Sequence, residues 1–229
     1  MSVAKKEPAE RRLRRLHDRL FAAYEEQHWW PAQTSFEVIL GAYLTQNTSW
    51  KAVERALENL RVAGALNLEG LRALSLEELR RLIQPAGFYT RKAPSLKAFL
   101  SLLDESYGGS LAAMAAAPTA ALRKQLLDLP GVGPETADAI LLYALGHAVP
   151  MADEYLRRIV ERHGLRTRTS KNIGYEELTE LTQAAFAGDP EETRARLYNE
   201  FHALSVAVGK AHCGRTANCK GCPLAFDLA

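Results

Sequence analysis

Two glycines mark the stretch of this chain best placed for chemistry. Leu129-Pro130-Gly131-Val132-Gly133-Pro134 joins two helical patterns through a turn with few side chains. Backbone N–H groups bared in such a turn, beside a helix N-terminus, attract an anion. Pro134 suits the first helical position and Gly133 can cap it. A phosphate can approach Gly131, Val132 and Gly133 closely because the two glycines carry no side chains. A lone G-x-G is more often a tight αα-hairpin that only packs. Here an apolar helical stretch follows, then the loop Gly146-His147-Ala148-Val149-Pro150, and then Asp153, twenty residues after Gly133. Asp153 also stands where it can cap the helix that begins at Glu154. Glu135 sits in a first helical turn, where the macrodipole favours a carboxylate whatever its other role.

Two further groups could do chemistry. The three cysteines, Cys213, Cys219 and Cys222, all lie near the C-terminus. An odd, clustered set is poor material for a disulfide framework and better material for a metal site. The three tryptophans also cluster, in His28-Trp29-Trp30-Pro31 and Ser49-Trp50. Core packing accounts for any single Trp. Three near one another suit the face of a cationic ring, worth roughly 0.5–2 kcal/mol per contact.

The elements that must position these groups read as helices. Apolar residues recur at helical spacing over 9–27, 35–46, 50–61, 75–84, 91–106, 118–129, 134–146, 153–163, 174–187 and 191–211. Pro31, Pro85-Ala86-Gly87, Gly108-Gly109, Gly164 and Gly188-Asp189-Pro190 punctuate them. Ser75 with Glu78 forms the pattern of a capping box. No stretch alternates as a strand would, so the expected fold class is all-α. The 229 residues suffice for one large domain or two small ones. A net charge of +2 permits a nucleic-acid partner without demanding one. No apolar run approaches membrane-spanning length, and the charged N-terminus is unlike a secretory signal. A cytoplasmic protein, associated with the nucleoid if DNA is its partner, is expected, with no membrane partner.

The motifs together resemble those of a known family. LPGVGPETADAILLYALG followed by ADEYLRRI is similar to the defining motif of the helix-hairpin-helix DNA glycosylases, the endonuclease III superfamily. Leu44-Thr45-Gln46-Asn47-Thr48 resembles the family segment whose glutamine fills the gap left by a flipped base. Gly87-Phe88-Tyr89-Thr90-Arg91-Lys92-Ala93 resembles the loop that wedges an apolar residue into the opposite strand. The resemblance implies a six-helix barrel over 33–147. It also implies a second helical lobe from 1–32 and 148–229, with a lesion pocket in the cleft between them. Gln46 and Phe88 would be the DNA wedge. Gly131, Val132 and Gly133 would hold the backbone, helped by basic side chains such as Arg91 and Lys92. Damaged double-stranded DNA would be the partner of a monomeric enzyme.

Bifunctional members of that family carry a lysine where this chain has Glu135, and its amine attacks the sugar. Glu135 cannot. Asp153 remains, and a carboxylate near the sugar can stabilise an oxocarbenium-like transition state and align water. The expected reaction is therefore monofunctional base excision with Asp153 catalytic and AP-lyase activity absent. With no evident general acid, a base that is already cationic, such as 3-methyladenine, suits the site. WWP, LTQNTSW, PAGFYTRKA and GVGPETADAIL together most resemble the 3-methyladenine DNA glycosylase III branch, which also has glutamate at the hairpin. That likeness places Trp29, Trp30, Pro31, Trp50, Glu135 and Lys210 at the lesion pocket. Trp50 stands where the branch has phenylalanine, and Leu204 where it has a further lysine. Many relatives end in four cysteines spaced C-x6-C-x2-C-x5-C around a [4Fe–4S] cluster. Here Cys213-x5-Cys219-x2-Cys222 is one residue short in its first spacing and lacks the fourth thiol. A degenerate loop without cofactor is the favoured expectation, with Cys213, Cys219 and Cys222 as ligands if a cluster is present. Two alternatives stand beside this reading. One is a glycosylase for oxidised pyrimidines or mismatched bases. The other is a non-catalytic helix-hairpin-helix DNA-binding protein.

Overall fold

The computed structural model describes residues 7–27, 32–167 and 173–228. Twelve α-helices occupy them: α1 Ala9–Tyr24, α2 Ser35–Thr45, α3 Trp50–Val62, α4 Leu68–Ala73, α5 Leu76–Leu82, α6 Tyr89–Tyr107, α7 Leu111–Ala115, α8 Thr119–Leu127, α9 Pro134–Ala139, α10 Glu154–Arg162, α11 Tyr175–Ala185 and α12 Glu191–Ala211. Among the described residues there is no strand, and the fold is all-α. No described helix is long and apolar enough to cross a membrane. The chain divides into two compact units, Met1–Trp29 with Ala148–Ala229, and Trp30–His147.

In the unit Trp30–His147, α2 runs through the core and buries every residue from Phe36 to Leu44. A helix apolar all round is stable only when covered on all sides, and α3, α6 and the segment after α9 cover it. Its buried polar residue, Glu37, is satisfied twice: Arg61 donates to one carboxylate oxygen at 2.9 Å and the Gln33 backbone N–H to the other at 3.0 Å. Tyr43 of α2 meets Phe99 of α6 edge to face, ring centres 6.1 Å apart. The Ser75–Glu78 capping box is present and starts α5. Two helices fall outside the sequence-based expectation, α4 and α7. They have six and five residues, too few to display a helical period. The helix expected over 134–146 is α only as far as Ala139. Ile140–Ala144 widens into a π-helical turn, a bulge that is rare and enriched near functional sites.

In the other unit, α12 packs on α10 and α1, and α1 on α11. Gly209 makes the α10 contact possible: a Cβ there would lie 2.1 Å from the Tyr155 ring. His17, Phe186, Tyr198 and Phe201 form an aromatic cluster between α1 and α12. The C-terminal tail is tied down by Asp227. Its buried carboxylate accepts from Arg12 at 2.7 Å and lies 2.9 Å from His163 Nδ1.

Two ion pairs yield tests. Arg123 of α8 grips Asp138 of α9 with two hydrogen bonds, 2.7 and 2.9 Å, and the Asp138 side chain is almost fully buried. Arg123→Ala removes both of these hydrogen bonds from a buried carboxylate, so urea unfolding should show a loss of about 3 kcal/mol. Replacing both residues with apolar ones should cost less. For Asp227, burial alone would lift the carboxyl, but the Arg12 and His163 hydrogen bonds outweigh it and hold the pKa below the usual value. A carboxyl whose folded pKa is depressed stabilises the fold above its unfolded pKa, about 3.9, and that contribution is lost as pH falls through the folded value. Asp227→Asn should therefore lower the urea midpoint at neutral pH and flatten its decline in acid.

Candidate functional site

The hairpin lies between α8 and α9. Gly131 takes φ +76°, the left-handed region, and a Cβ there would meet Ser95 Oγ of α6 at 2.7 Å. The turn thus requires glycine twice over, by conformation and by contact. Gly133 differs: its φ is −97° and nothing lies within 4 Å of where a Cβ would stand. Its missing side chain is not demanded by the fold. The Ser95 hydroxyl donates to Pro130 O. Val132 is buried while both glycines are exposed. Pro134 opens α9, and Glu135 follows in its first turn with its side chain exposed.

Gln46 ends α2 and reaches the hairpin. Its amide nitrogen donates to Gly131 O at 3.0 Å and to Thr136 Oγ1 at 2.9 Å. Asn47 beside it has φ +51°, which Asn tolerates better than most residues. Phe88 has φ +47° directly after Gly87 at φ +65°. A bulky aromatic is a clear outlier there. Its ring is 58% exposed, the opposite of what an ordinary core Phe does. Trp50 is the first residue of α3, half-buried, and its indole N–H donates to Glu54 at 3.0 Å. Trp29, Trp30 and Pro31 lie outside the described residues.

One expectation is corrected here. Lys92 does not reach outward to a DNA backbone beside Arg91. It is 3% exposed, and its ammonium donates to Leu44 O at 2.8 Å and Ala86 O at 2.9 Å. Burial pushes its pKa down to about 8. Arg91, next to it, is exposed as expected.

In the unit that holds the C-terminal half, Asp153 caps α10, one carboxylate oxygen accepting from the Leu156 N–H at 2.9 Å. The other oxygen lies 3.5 Å from Nε2 of the buried His202 on α12. The cap fixes how the carboxylate is turned, with the second oxygen directed toward His202. Lys210 lies on the exposed last turn of α12, one residue beyond the Gly209–Tyr155 contact. Leu204 is fully buried on the same helix.

The three thiols of the cysteine loop sit in different settings. Cys213 is buried and Arg162 donates to its sulfur at 2.9 Å, whereas Cys219 is exposed. Burial, with the neighbouring sulfurs, pushes the Cys222 thiol up. The chain's fourth position in the pattern is Leu228, and the carboxylate next to it, Asp227, is engaged by Arg12 and His163. No group of three or more metal-ligating side chains converges among the described residues.

Sequence reasoning missed the buried carbonyl contacts of Lys92, the approach of His202 to Asp153 and the Gln46–Thr136 bond. The first two carried a signal. Lys92 shares the buried α6 face with Leu96, Phe99 and Leu103, and His202 shares the α12 face with Tyr198, Ser205 and Gly209. A polar residue in register with an apolar stripe is buried and needs a partner. The double role of Asp153 is testable without activity. Asp153→Ala removes the cap and should cost about 1 kcal/mol in thermal unfolding, whereas Asp153→Asn keeps an acceptor and should cost little.

Comparison with known proteins agrees with this geometry. The model of the HhH-GPD superfamily base excision DNA repair proteins matches residues 40–184. The Methanocaldococcus jannaschii protein named Putative DNA repair glycosylase MJ1434 is 42% identical over 204 residues, covering 88% of each chain. The chloroplastic endonuclease III homolog 2 of Arabidopsis thaliana is 28% identical over 86% of this chain, which spans half of that longer protein. Among solved structures, the H. pylori 3-methyladenine DNA glycosylase MagIII bound to 1,N6-ethenoadenine superposes with a TM-score of 0.74. It is 28% identical, with 89% of this chain and 98% of that one covered. A family match over more than half of the sequence, joined to a relative this similar along most of its length, makes the protein a DNA glycosylase of the HhH-GPD superfamily, a base excision repair enzyme.

Proposed function

We propose that this enzyme is a monofunctional N-glycosylase that removes alkylated purines, 3-methyladenine above all, from duplex DNA. What carries the reading is that one chain has both a carboxylate, Glu135, in the first turn of α9 where an amine would be needed, and an aspartate, Asp153, with one oxygen held by its own helix. Without a lysine at the hairpin, no Schiff base forms there. Asp153 then stabilises positive charge on the sugar as the bond to the base breaks, and water completes the hydrolysis. A methylated purine leaves without help from an acid because it is already cationic. The likeness to MagIII, whose structure holds 1,N6-ethenoadenine, supports a modified purine as substrate.

In this reading the resemblance assigns Trp29, Trp30, Pro31, Trp50, Glu135 and Lys210 to the lesion, and a tryptophan face attracts a cationic base. Gly131, Val132 and Gly133 hold a phosphate, and Gln46 and Phe88 enter the duplex as the base leaves the stack. No step passes through an iron–sulfur cluster, and the enzyme acts as a monomer on chromosomal DNA.

The test is a release assay. Duplex DNA treated with a methylating agent is incubated with wild type and with Asp153→Asn, and the freed bases are separated. Free 3-methyladenine from the wild type alone is expected, with intact abasic strands and no adduct trapped by borohydride. Release of thymine glycol or a mismatched base instead keeps Asp153 and discards the cationic pocket. A borohydride adduct overturns the monofunctional mechanism.

A further inference from the structure

Lys92 is a costly residue to bury. It buries an ammonium whose hydrogen bonds go to two backbone carbonyls, Leu44 O and Ala86 O. A buried charge held without an opposite charge is expensive, and an apolar side chain would serve a core better. What the charge does instead is local. Leu44 lies in the last turn of α2, where carbonyls lack helical partners and carry the negative end of the macrodipole. Ala86 ends the short 3₁₀ turn Gln84–Ala86. One ammonium thus closes the C-terminal ends of two elements far apart in sequence.

Each end leads at once into a segment assigned to the duplex. Two residues beyond Leu44 stands Gln46. Two residues beyond Ala86 stands Phe88, whose ring centre is 6.0 Å from the same ammonium. Phe88 keeps a left-handed backbone unfavourable to an aromatic, and such a conformation persists only where the surroundings impose it. The Lys92 bond to Ala86 O anchors the turn from one side. The Lys92 N–H to Phe88 O bond, 3.0 Å, anchors it from the other.

We propose that Lys92 is a positioning residue for base extrusion, a strut that holds the Gln46 and Phe88 segments at one fixed separation so that both enter the duplex together. The inference rests on the reading of Gln46 and Phe88 as the DNA wedge. It predicts that removing the ammonium impairs extrusion of a paired base far more than chemistry on a base already unpaired.

The probe is a duplex with a tetrahydrofuran abasic analogue facing 2-aminopurine, whose fluorescence reports displacement of the facing base whatever lesion the enzyme prefers. Lys92→Met keeps the stem and removes the donors. With thermal unfolding showing a folded protein, it should lower the 2-aminopurine response and slow single-turnover excision from methylated duplex about ten- to a hundredfold. Excision of the same bases from single-stranded DNA should fall less. If Lys92→Met does not fold, Lys92→Gln, which keeps one amide donor, takes its place. Gln46→Ala and Phe88→Ala are measured in parallel, and each should lower the response alone. The loss from Lys92→Met should be largely absent in a Phe88→Ala background. Should the two wedge variants lower the response while Lys92→Met does not, the strut is wrong and the wedge stands. A normal response from both Gln46→Ala and Phe88→Ala removes the wedge and the strut with it. Equal losses on duplex and single-stranded DNA, or losses that simply add, reduce Lys92 to a core residue and overturn the proposal.

Discussion

The close approach of Gly131 to Ser95 governs the architecture around the hairpin. Any side chain at 131 would strike the Ser95 hydroxyl, and the left-handed backbone there resists other residues independently. With the glycine in place, α6 sits against the turn and its serine satisfies Pro130 O. Gln46 then satisfies Gly131 O from the end of α2. Two successive carbonyls of the turn are engaged by side chains from two different helices. Each bond restrains the turn from a different helix, the one to Pro130 O partly buried and the one to Gly131 O exposed. The Arg123–Asp138 pair clamps the helices on its two sides.

Several candidate site residues also serve as structural ends. Asp153 caps α10 with one oxygen and faces His202 with the other. Gln46 ends α2, and Phe88 begins α6. Helix termini carry unsatisfied backbone groups that some side chain must meet. Asp153, pinned by that duty, cannot rotate freely, and its remaining oxygen is presented in a set direction. Rigid placement of this kind is what a reacting or inserting group requires.

The C-terminal tail follows a different logic. It carries Cys213, Cys219 and Cys222, and the described hydrogen bonds tie it to the unit's helices. Asp227 joins Arg12 of α1 and His163 at the end of α10, and Arg162 donates to the Cys213 sulfur and to two carbonyls of the loop. Charge-assisted hydrogen bonds and burial do the work of closure.

Much was legible in the sequence because it is local. Helical periods, the Ser75–Glu78 capping box, Pro134 at a helix start and the spacing from Gly133 to Asp153 all lie within a few turns of chain, where propensity and pattern act directly. The same locality hid α4 and α7, too short to show a period, and the π-helical turn at Ile140–Ala144. It also put Lys92 at the DNA backbone beside Arg91, because its register with Leu96, Phe99 and Leu103 marks a buried face but nothing local names the carbonyls it meets. Only the tertiary structure could join Lys92 to Leu44, Gln46 to Gly131 and Asp153 to His202. Each of these contacts pairs groups from separate elements, and which partner a buried donor finds is decided by how those elements pack. The sequence determined the helices and the candidate groups; the packing of the helices decided which of those groups are spent on structure and which remain exposed.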